Sequence, residues 1–197
     1  MRLSFTVGIA LAILTLTTMA VAAPVNVNYN GPAGGQFGGY YTQPYSLTIN
    51  GSINVLAMCD TFNRDVNPGD HWPAIIYNLT GGANIDNTLF GGMPNALTDY
   101  EQAAYILKNY SSVPEANAVV WDTFLPNSIG LDSTGLAIQA AALANANEGS
   151  LNGVFAITPT DGVGQEFLYA TPEPSTLLTL GSGLIGLAGL ARKRLCK

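Results

Sequence analysis

Few side chains in this sequence could do chemistry of their own, and the thiol of Cys59 is the first candidate. The chain has two cysteines. Cys196 lies beyond an apolar C-terminal segment that would place a membrane between the two thiols, so we expect no disulfide between them. Met58-Cys59-Asp60 stands at the end of a predicted strand. A cysteine there is most often a small buried residue, while a disulfide to a second copy and a reactive thiol are alternatives.

Hydrolytic chemistry would have to use His71, because it is the sole histidine of the chain. Cys59 and His71 could form a nucleophile and its base, and a serine hydrolase would need the same histidine. The sequence has no Gly-x-Ser-x-Gly nucleophile elbow. Ser52 and Ser150 stand near glycines in predicted turns, where serine is ordinary. We therefore expect no catalytic residue and keep an extracellular hydrolase as a minor alternative.

A dense acidic loop spans residues 60–70. Asp60, Asp65, Asn67 and Asp70 offer oxygen ligands of the kind that Ca²⁺ prefers, but Asp70 stands where an EF-hand requires glycine. Zinc ligands are not clustered anywhere in the sequence. We expect a solvated loop, no metal and no cofactor, and the sequence leaves calcium binding by this loop open.

The charge distribution excludes one large class of partner. Only 10% of the residues are charged, whereas soluble domains carry roughly 25%. All 13 acidic residues fall between positions 23 and 173, together with just two cations, Arg64 and Lys108. This acidic region lacks the basic footprint of a nucleic-acid binder, so we expect no nucleic acid partner. It also argues against direct electrostatic attraction to an anionic polysaccharide.

The N-terminus has the layout of a secretory signal peptide over residues 1–22. Arg2 supplies the positive start, an apolar run follows, and the small residues Ala20 and Ala22 fit the rule for cleavage. We expect signal peptidase to cut after Ala22, which makes signal peptidase and the secretion machinery partners of the chain. A retained membrane anchor is the alternative.

The C-terminus has three parts in order. Pro172-Glu173-Pro174 comes first, and its prolines exclude helix and hold the chain extended. Residues 175–191 contain no charge and would form a helix of roughly 25 Å, at the short end of what crosses a bilayer. A basic end follows and should stay in the cytoplasm by the positive-inside rule, which places residues 23–170 outside it. The basic end contains Arg192, Lys193 and Arg194.

This tripartite tail, residues 171–197, resembles the PEP-CTERM sorting signal. The resemblance implies that an exosortase, a membrane-embedded cysteine protease and transpeptidase, reads the tail and can remove the helix. It also implies a Gram-negative-type host that makes exopolysaccharide. Pro172, Glu173 and Pro174 would then be sorting residues, and the protein would pass from the inner membrane to the cell surface or the extracellular space. An ordinary C-terminal anchor is the alternative.

The middle of the chain begins and ends with strand patterns. The best hairpin signal is Asn50-Gly51 between two stretches of alternating apolar residues, because a type I′ turn needs positive φ at both central residues. A short strand is predicted around Val25 and Val27, and another at residues 73–79. Residues 153–158 and 165–170 are predicted to pair as a C-terminal hairpin.

Three helices are predicted between these strands. Thr98 begins a capping-box pattern, Ser112 repeats the capping logic before a proline in the first turn, and Asp132 or Ser133 can cap a third helix. Strands, then helices, then strands make an α+β domain. We expect one β-rich α+β domain over residues 23–170, with hairpins at both ends and about three central helices.

Five short motifs are scattered through this domain: Met58-Cys59-Asp60, Gly69-x-x-Trp72, Tyr100-Glu101-Gln102-Ala103-Ala104-Tyr105, Ala118-Val119-Val120-Trp121-Asp122 and Gln165-Glu166-Phe167. Together they resemble one recurring PEP-CTERM ectodomain type, which in turn is similar to thioester domains of bacterial surface adhesins. In those domains a cysteine on a strand bonds to a glutamine four residues before a tryptophan, and the bond captures nucleophiles. Here that position is Asn117, one methylene shorter, and the helical candidates Gln102 and Gln139 lack the spacing. The resemblance implies a thioester-type fold without its bond.

These observations predict an exported, exosortase-sorted protein of the cell surface or exopolysaccharide matrix, with a structural or adhesive role and no catalysis. A covalent adhesin with a Cys59 thioester is the main alternative. Extracellular polysaccharide is a candidate partner, through neutral-sugar stacking or divalent ions. The Asn-, Gly- and Tyr-rich residues 25–45 are expected to be a flexible lead-in whose aromatic residues pack onto the domain. The alternative is an arm that stacks on sugars through Phe37, Tyr40 and Tyr41.

Overall fold

The computed structural model describes residues 23–171. The predicted signal peptide, residues 1–22, and the predicted membrane helix, residues 175–191, lie outside these residues and stay predictions. Among residues 23–171, no helix has the length and apolar character needed to cross a bilayer.

Eight strands and three α-helices make up the described domain. The longer strands are β1 (Val25–Pro32), β4 (Tyr45–Ile49), β5 (Ile53–Cys59), β6 (His71–Asn78), β7 (Val154–Pro159) and β8 (Phe167–Ala170), and the two-residue strands are β2 (Gln36–Phe37) and β3 (Tyr40–Tyr41). The helices are α1 (Ala96–Tyr110), α2 (Pro114–Phe124) and α3 (Ser133–Asn145), all between β6 and β7. This confirms the β-rich α+β class and the three central helices.

The six longer strands close into an antiparallel barrel in the order β1-β4-β5-β8-β7-β6, with β6 paired back onto β1. β2 and β3 form a separate small hairpin. Both predicted hairpins are present, as β4–β5 and β7–β8. The sequence did not predict that the sheet closes, because closure depends on pairing between strands that are far apart along the chain.

The β4–β5 turn has the predicted chemistry. Asn50 and Gly51 have φ of 50° and 68°, and the N–H of Ser52 donates to the carbonyl of Ile49 at 3.2 Å. Asparagine and glycine adopt this left-handed conformation at low cost. The apolar face of the hairpin is buried on β4, but Ile53, beside the turn, is 57% exposed.

The helix boundaries correct part of the capping prediction. α1 begins before Thr98, so that residue lies inside the first turn, and the N-cap residue Asn95 makes no side-chain hydrogen bond. The N-cap of α2 is Val113 rather than Ser112, although a proline does occupy its first turn. Asp132 caps α3 as predicted, since its carboxylate accepts a hydrogen bond of 2.8 Å from the backbone of the first turn.

Two apolar cores meet across the barrel wall. One fills the barrel, and the other lies between the outer face of the barrel and the helices. Side chains alternate between them along a strand. On β5, Met58 belongs to the helix-side core and Cys59 to the barrel core, and on β8, Leu168 and Phe167 divide in the same way. Both cores are therefore in contact with the same short segments, the end of β5 and the start of β8.

Candidate functional site

The five sequence motifs converge beneath the helices, where β5 ends and β8 begins. The N–H of Asp60 donates to the carbonyl of Glu166 at 3.4 Å, so the strands hold two motifs side by side. α1 adds Tyr100, which donates to the Glu166 carboxylate, and α2 adds Asn117. Trp72 stacks on the phenylalanine of the last motif, with ring centroids 6.1 Å apart. Residues far apart in the sequence thus form one cluster.

Cys59 is sealed inside this cluster, with 1% of its surface exposed. Its Sγ donates to the carbonyl of Thr61 at 3.4 Å. Burial raises the pKa of the Cys59 thiol well above its usual value, and the nearby Asp60 raises it further. The Thr61 backbone and the Trp121 indole act in the opposite direction without offsetting the burial. Since the thiolate is the nucleophile, both burial and the raised pKa disfavour reaction of Cys59 with molecules in solution.

Asn117 occupies the position at which the thioester resemblance requires glutamine, and it does lie against Cys59. Its Oδ1 accepts from the N–H of Cys59 at 3.3 Å, and its Nδ2 donates to the carbonyl of Cys59 at 3.0 Å. Asn117 is fully buried. The carboxamide pairs with both backbone polar groups of one residue, much as a neighbouring strand would. It is committed to the backbone rather than to the thiol.

Gln165 is a glutamine near Cys59 that the sequence reasoning did not consider as its partner. Its Nε2 donates to the carbonyl of Thr61 at 3.3 Å, the same oxygen that accepts from the Cys59 thiol. Gln102 is buried in α1, and Gln139 donates to Asp122 on α2 instead. The signal for Gln165 in the sequence was its place in the last motif.

Asp60 and Glu166 form a buried acidic pair next to Cys59. The Glu166 carboxylate accepts hydrogen bonds from the hydroxyls of Tyr100 and Thr158 and, at 2.9 Å, from the backbone of Leu89. Burial raises the pKa of Asp60 well above its usual range, and the charge of Glu166 and a hydrogen bond to it raise it further. Both effects favour the protonated form of Asp60.

The structure does not bring the candidate hydrolytic residues together. His71 is exposed on β6, whereas Cys59 faces the barrel interior. Ser52 stands in the β4–β5 turn. Ser150 accepts from the N–H of Asn147 at 3.2 Å and so stabilises a short 3₁₀ turn. Each serine thus lies in a turn, as the sequence predicts.

The acidic loop of residues 60–70 divides between inside and outside. Asp60 is buried in the cluster, while the carboxylate of Asp70 accepts from the N–H of Asn67 at 2.7 Å and closes a local turn. Within residues 23–171, no three Asp, Glu, His or Cys side chains stand close enough to hold a metal ion. A hydrogen bond within the loop therefore closes one of its turns. The expectation that the whole loop is solvated is wrong for Asp60, which is buried.

An aromatic pocket of about 180 Å³ opens beside the cluster. Tyr40 and Tyr41 of β3, Phe62 after β5 and Trp121 of α2 line it. The ring of Tyr40 lies 5.1 Å from Phe62 and 6.1 Å from Trp121, and those two rings are 5.2 Å apart. These edge-on and tilted arrangements are the favoured geometry of aromatic pairs.

The arm that carries the pocket's tyrosines is docked onto the domain. Gln43, just after β3, is buried and donates to the carbonyl of Val113 at the start of α2. The hydroxyl of Tyr45 donates to the carbonyl of Tyr41. The expected flexibility is therefore wrong for this stretch, since side-chain hydrogen bonds fix it to α2 and β4. The expected packing of its aromatic residues onto the domain is confirmed for Tyr40, which contacts Trp121.

The end of the chain matches a known family model. Residues 170–194 match the PEP-CTERM protein-sorting motif. The chain carries a PEP-CTERM sorting signal. Such a signal marks an exported protein that an exosortase targets at the membrane before it reaches the surface. The match includes all the predicted sorting residues: Pro172, Glu173, Pro174, Arg192, Lys193 and Arg194. These residues lie outside the described residues, as do the predicted signal-cleavage residues Ala20 and Ala22.

The other two comparisons found no relative of the chain. No curated protein and no solved structure matches the chain. The resemblance of residues 23–170 to thioester domains therefore stays a prediction.

Proposed function

We propose that this PEP-CTERM protein is a structural or adhesive component of the cell surface or the exopolysaccharide matrix, with no catalytic activity of its own. One observation carries the proposal. Cys59, Asp60 and Glu166 are buried in one hydrogen-bonded cluster, whereas the sorting signal directs the domain outward.

Burial of the reactive groups supports a non-catalytic role. A catalytic side chain must reach the reacting atoms of its substrate. Cys59, Asp60 and Glu166 are each almost completely buried, and the Cys59 thiol is held neutral by its surroundings. Tyr100 is also buried and is committed to Glu166. The cluster therefore stabilises the junction of β5, β8 and the helices.

The role can be tested by complementation in the host. A strain that lacks the protein would receive the wild-type chain, Cys59→Ala or His71→Ala, and the amount of extracellular matrix would be measured. Equal restoration by all three chains is expected, because neither residue is needed for catalysis. Failure of a variant that reaches wild-type abundance, as measured by immunoblot, would show that its side chain is needed for activity and would overturn the proposal.

Delivery has its own readout, which is intact mass in separated membrane and extracellular fractions. We expect a chain that begins at Ala23, lacks the C-terminal helix and lies outside the membrane. A full tail ending at Lys197, confined to the membrane fraction, would show that the tail serves as a plain anchor and would contradict a matrix location.

A covalent adhesin is the second candidate, and the shared carbonyl of Thr61 favours it. The Cys59 thiol and the Gln165 carboxamide donate to the same oxygen. Attack of Sγ on the Gln165 carboxamide carbon would form a carbon–sulfur bond and release ammonia, which leaves with the thiol proton. The intact mass would then be lower by one ammonia, and Gln165→Ala would remove the difference. An unmodified mass excludes this candidate.

A further inference from the structure

We propose that the aromatic pocket binds a neutral sugar unit of an extracellular polysaccharide and is the point at which the protein holds its matrix. The inference deepens the proposed function and rests on it. The pocket is the space of about 180 Å³ lined by Tyr40, Tyr41, Phe62 and Trp121, with Asp65 at its rim.

The exposure of the tyrosines points to a ligand. Tyr40 and Tyr41 are 49% and 56% exposed, although the backbone that carries them is docked. Large aromatic side chains normally bury most of their surface. The face of an aromatic ring is electronegative, so it attracts the weakly positive C–H groups on the flat face of a sugar ring. Two tyrosines held open beside Trp121 provide such a platform without further ordering.

The size and polarity of the pocket favour a sugar over an apolar side chain. Its volume lies below the about 300–1,000 Å³ typical of drug-sized ligands, which suits one ring. Asp65 lines the same space, and its exposed carboxylate has no hydrogen-bond partner within residues 23–171. A carboxylate offers two acceptor oxygens, which fits neighbouring hydroxyls of a sugar. An apolar partner would leave that charge desolvated without compensation.

The charge of the pocket favours a neutral sugar over a uronate. Arg64 is the basic residue in the lining of the pocket. Its guanidinium donates a hydrogen bond of 2.6 Å to the carbonyl of Gly164. Within the pocket lining Arg64 and Asp65 balance in charge, but the surrounding positions 23–171 hold many more acids than bases. An anionic sugar would therefore be repelled, most strongly at low salt, where charges are least screened.

A neighbouring pocket indicates a chain rather than a single sugar. A second space of about 390 Å³ shares Asp65 and Val66 with the aromatic pocket and continues to His71 and Asp161. Its polar lining offers both donors and acceptors to hydroxyl groups. A sugar stacked on the tyrosines would thus be followed by a unit placed over Asp65, and oligosaccharides should bind more tightly than monosaccharides.

Binding can be measured with the full chain in mild detergent. The probes are neutral glucan and galactan oligosaccharides, a uronate oligosaccharide of the same length and the free hexoses, titrated while the tryptophan fluorescence is followed. At least one neutral oligosaccharide should bind, and the uronate should bind more weakly at low salt. Tyr40→Ala and Tyr41→Ala should each weaken binding by about tenfold or more, a loss of about 1.4 kcal/mol. Leu143→Ala, at a side chain 68% exposed on α3, is the matched control and should change nothing.

The outcomes distinguish failure of the sugar site from failure of the proposed structural role. No binding of any neutral oligosaccharide by a folded wild-type chain overturns the inference, as does equal binding by Tyr41→Ala. If the chain still restores the matrix in the host, the structural role stands without this site. If the tyrosine variants lose both sugar binding and matrix restoration at normal abundance, both statements are supported together. Preference for the uronate would overturn the charge argument and, with it, the assignment to neutral sugars.

Discussion

Replacing Asn117 with alanine tests the junction of β5 and α2 most directly. The change removes a hydrogen bond acceptor 3.3 Å from the N–H of Cys59 and a donor 3.0 Å from its carbonyl. Both backbone groups would stay buried without partners, because the site is fully enclosed. Each unsatisfied buried group costs about 1–3 kcal/mol. Alanine has a higher helix propensity than asparagine, which offsets roughly 0.7 kcal/mol of this cost at most. We therefore expect the free energy of unfolding to fall by about 2–4 kcal/mol.

Urea denaturation, followed by circular dichroism, would measure this loss. The midpoint should fall by about 1 M or more, since m-values of small proteins are about 1–3 kcal/mol/M. Asn109→Ala is the matched control, because Asn109 is exposed on α1 and donates to the carbonyl four residues before it at 2.8 Å. That control should stay within about 0.5 kcal/mol of wild type. Equal losses in the two variants, or a loss below about 1 kcal/mol at Asn117, would refute the conclusion that the two buried Asn117–Cys59 hydrogen bonds stabilise the fold.

Three further predictions concern the neighbouring residues. Because the folded pKa of Asp60 is raised, its contribution to stability is full below the unfolded value of about 3.9 and is lost as pH rises through the folded value. Urea midpoints should therefore fall from pH 4 to pH 8 in wild type and fall less in Asp60→Asn, and parallel profiles would contradict this. Cys59 should resist iodoacetamide in the native protein and react in urea, and rapid native alkylation detected by mass spectrometry would show an accessible thiolate. Gly164→Ala would place a Cβ 2.5 Å from the indole of Trp72, so the melting temperature should fall with a cost of about 1–3 kcal/mol, unlike in the open-site control Gly130→Ala.

The features that could be predicted from the sequence are those with local causes. The Asn50-Gly51 turn follows from the positive φ that these two residues tolerate. The cap of α3 follows from the carboxylate of Asp132, which reaches the first turn of its own helix. The predicted start of α1 at Thr98 is wrong. Thr98 has a side chain typical of a helix cap, but the helix already begins at Ala96.

The features that could not be predicted depend on contacts between distant residues. The acidic loop looked uniformly solvated, yet Asp60 is buried because Glu166, more than a hundred residues later, shares its pocket. A buried carboxyl group is tolerable when it is protonated or hydrogen-bonded, and neither condition is visible in a single segment. The docking of the tyrosine arm depends in the same way on Gln43 reaching Val113.

Helix α2 connects the aromatic pocket to the two hydrogen bonds between Asn117 and Cys59. Asn117 and Trp121 are four residues apart, so they stand on the same face of the helix, one turn after the other. Asn117 fixes that face to the end of β5 through two hydrogen bonds. The same attachment sets the position of Trp121, against which Tyr40 and Phe62 pack. The buried cluster therefore holds one wall of the aromatic pocket in place. At the proposed sugar site, a rigid wall would lower the entropy cost of ordering the platform on binding.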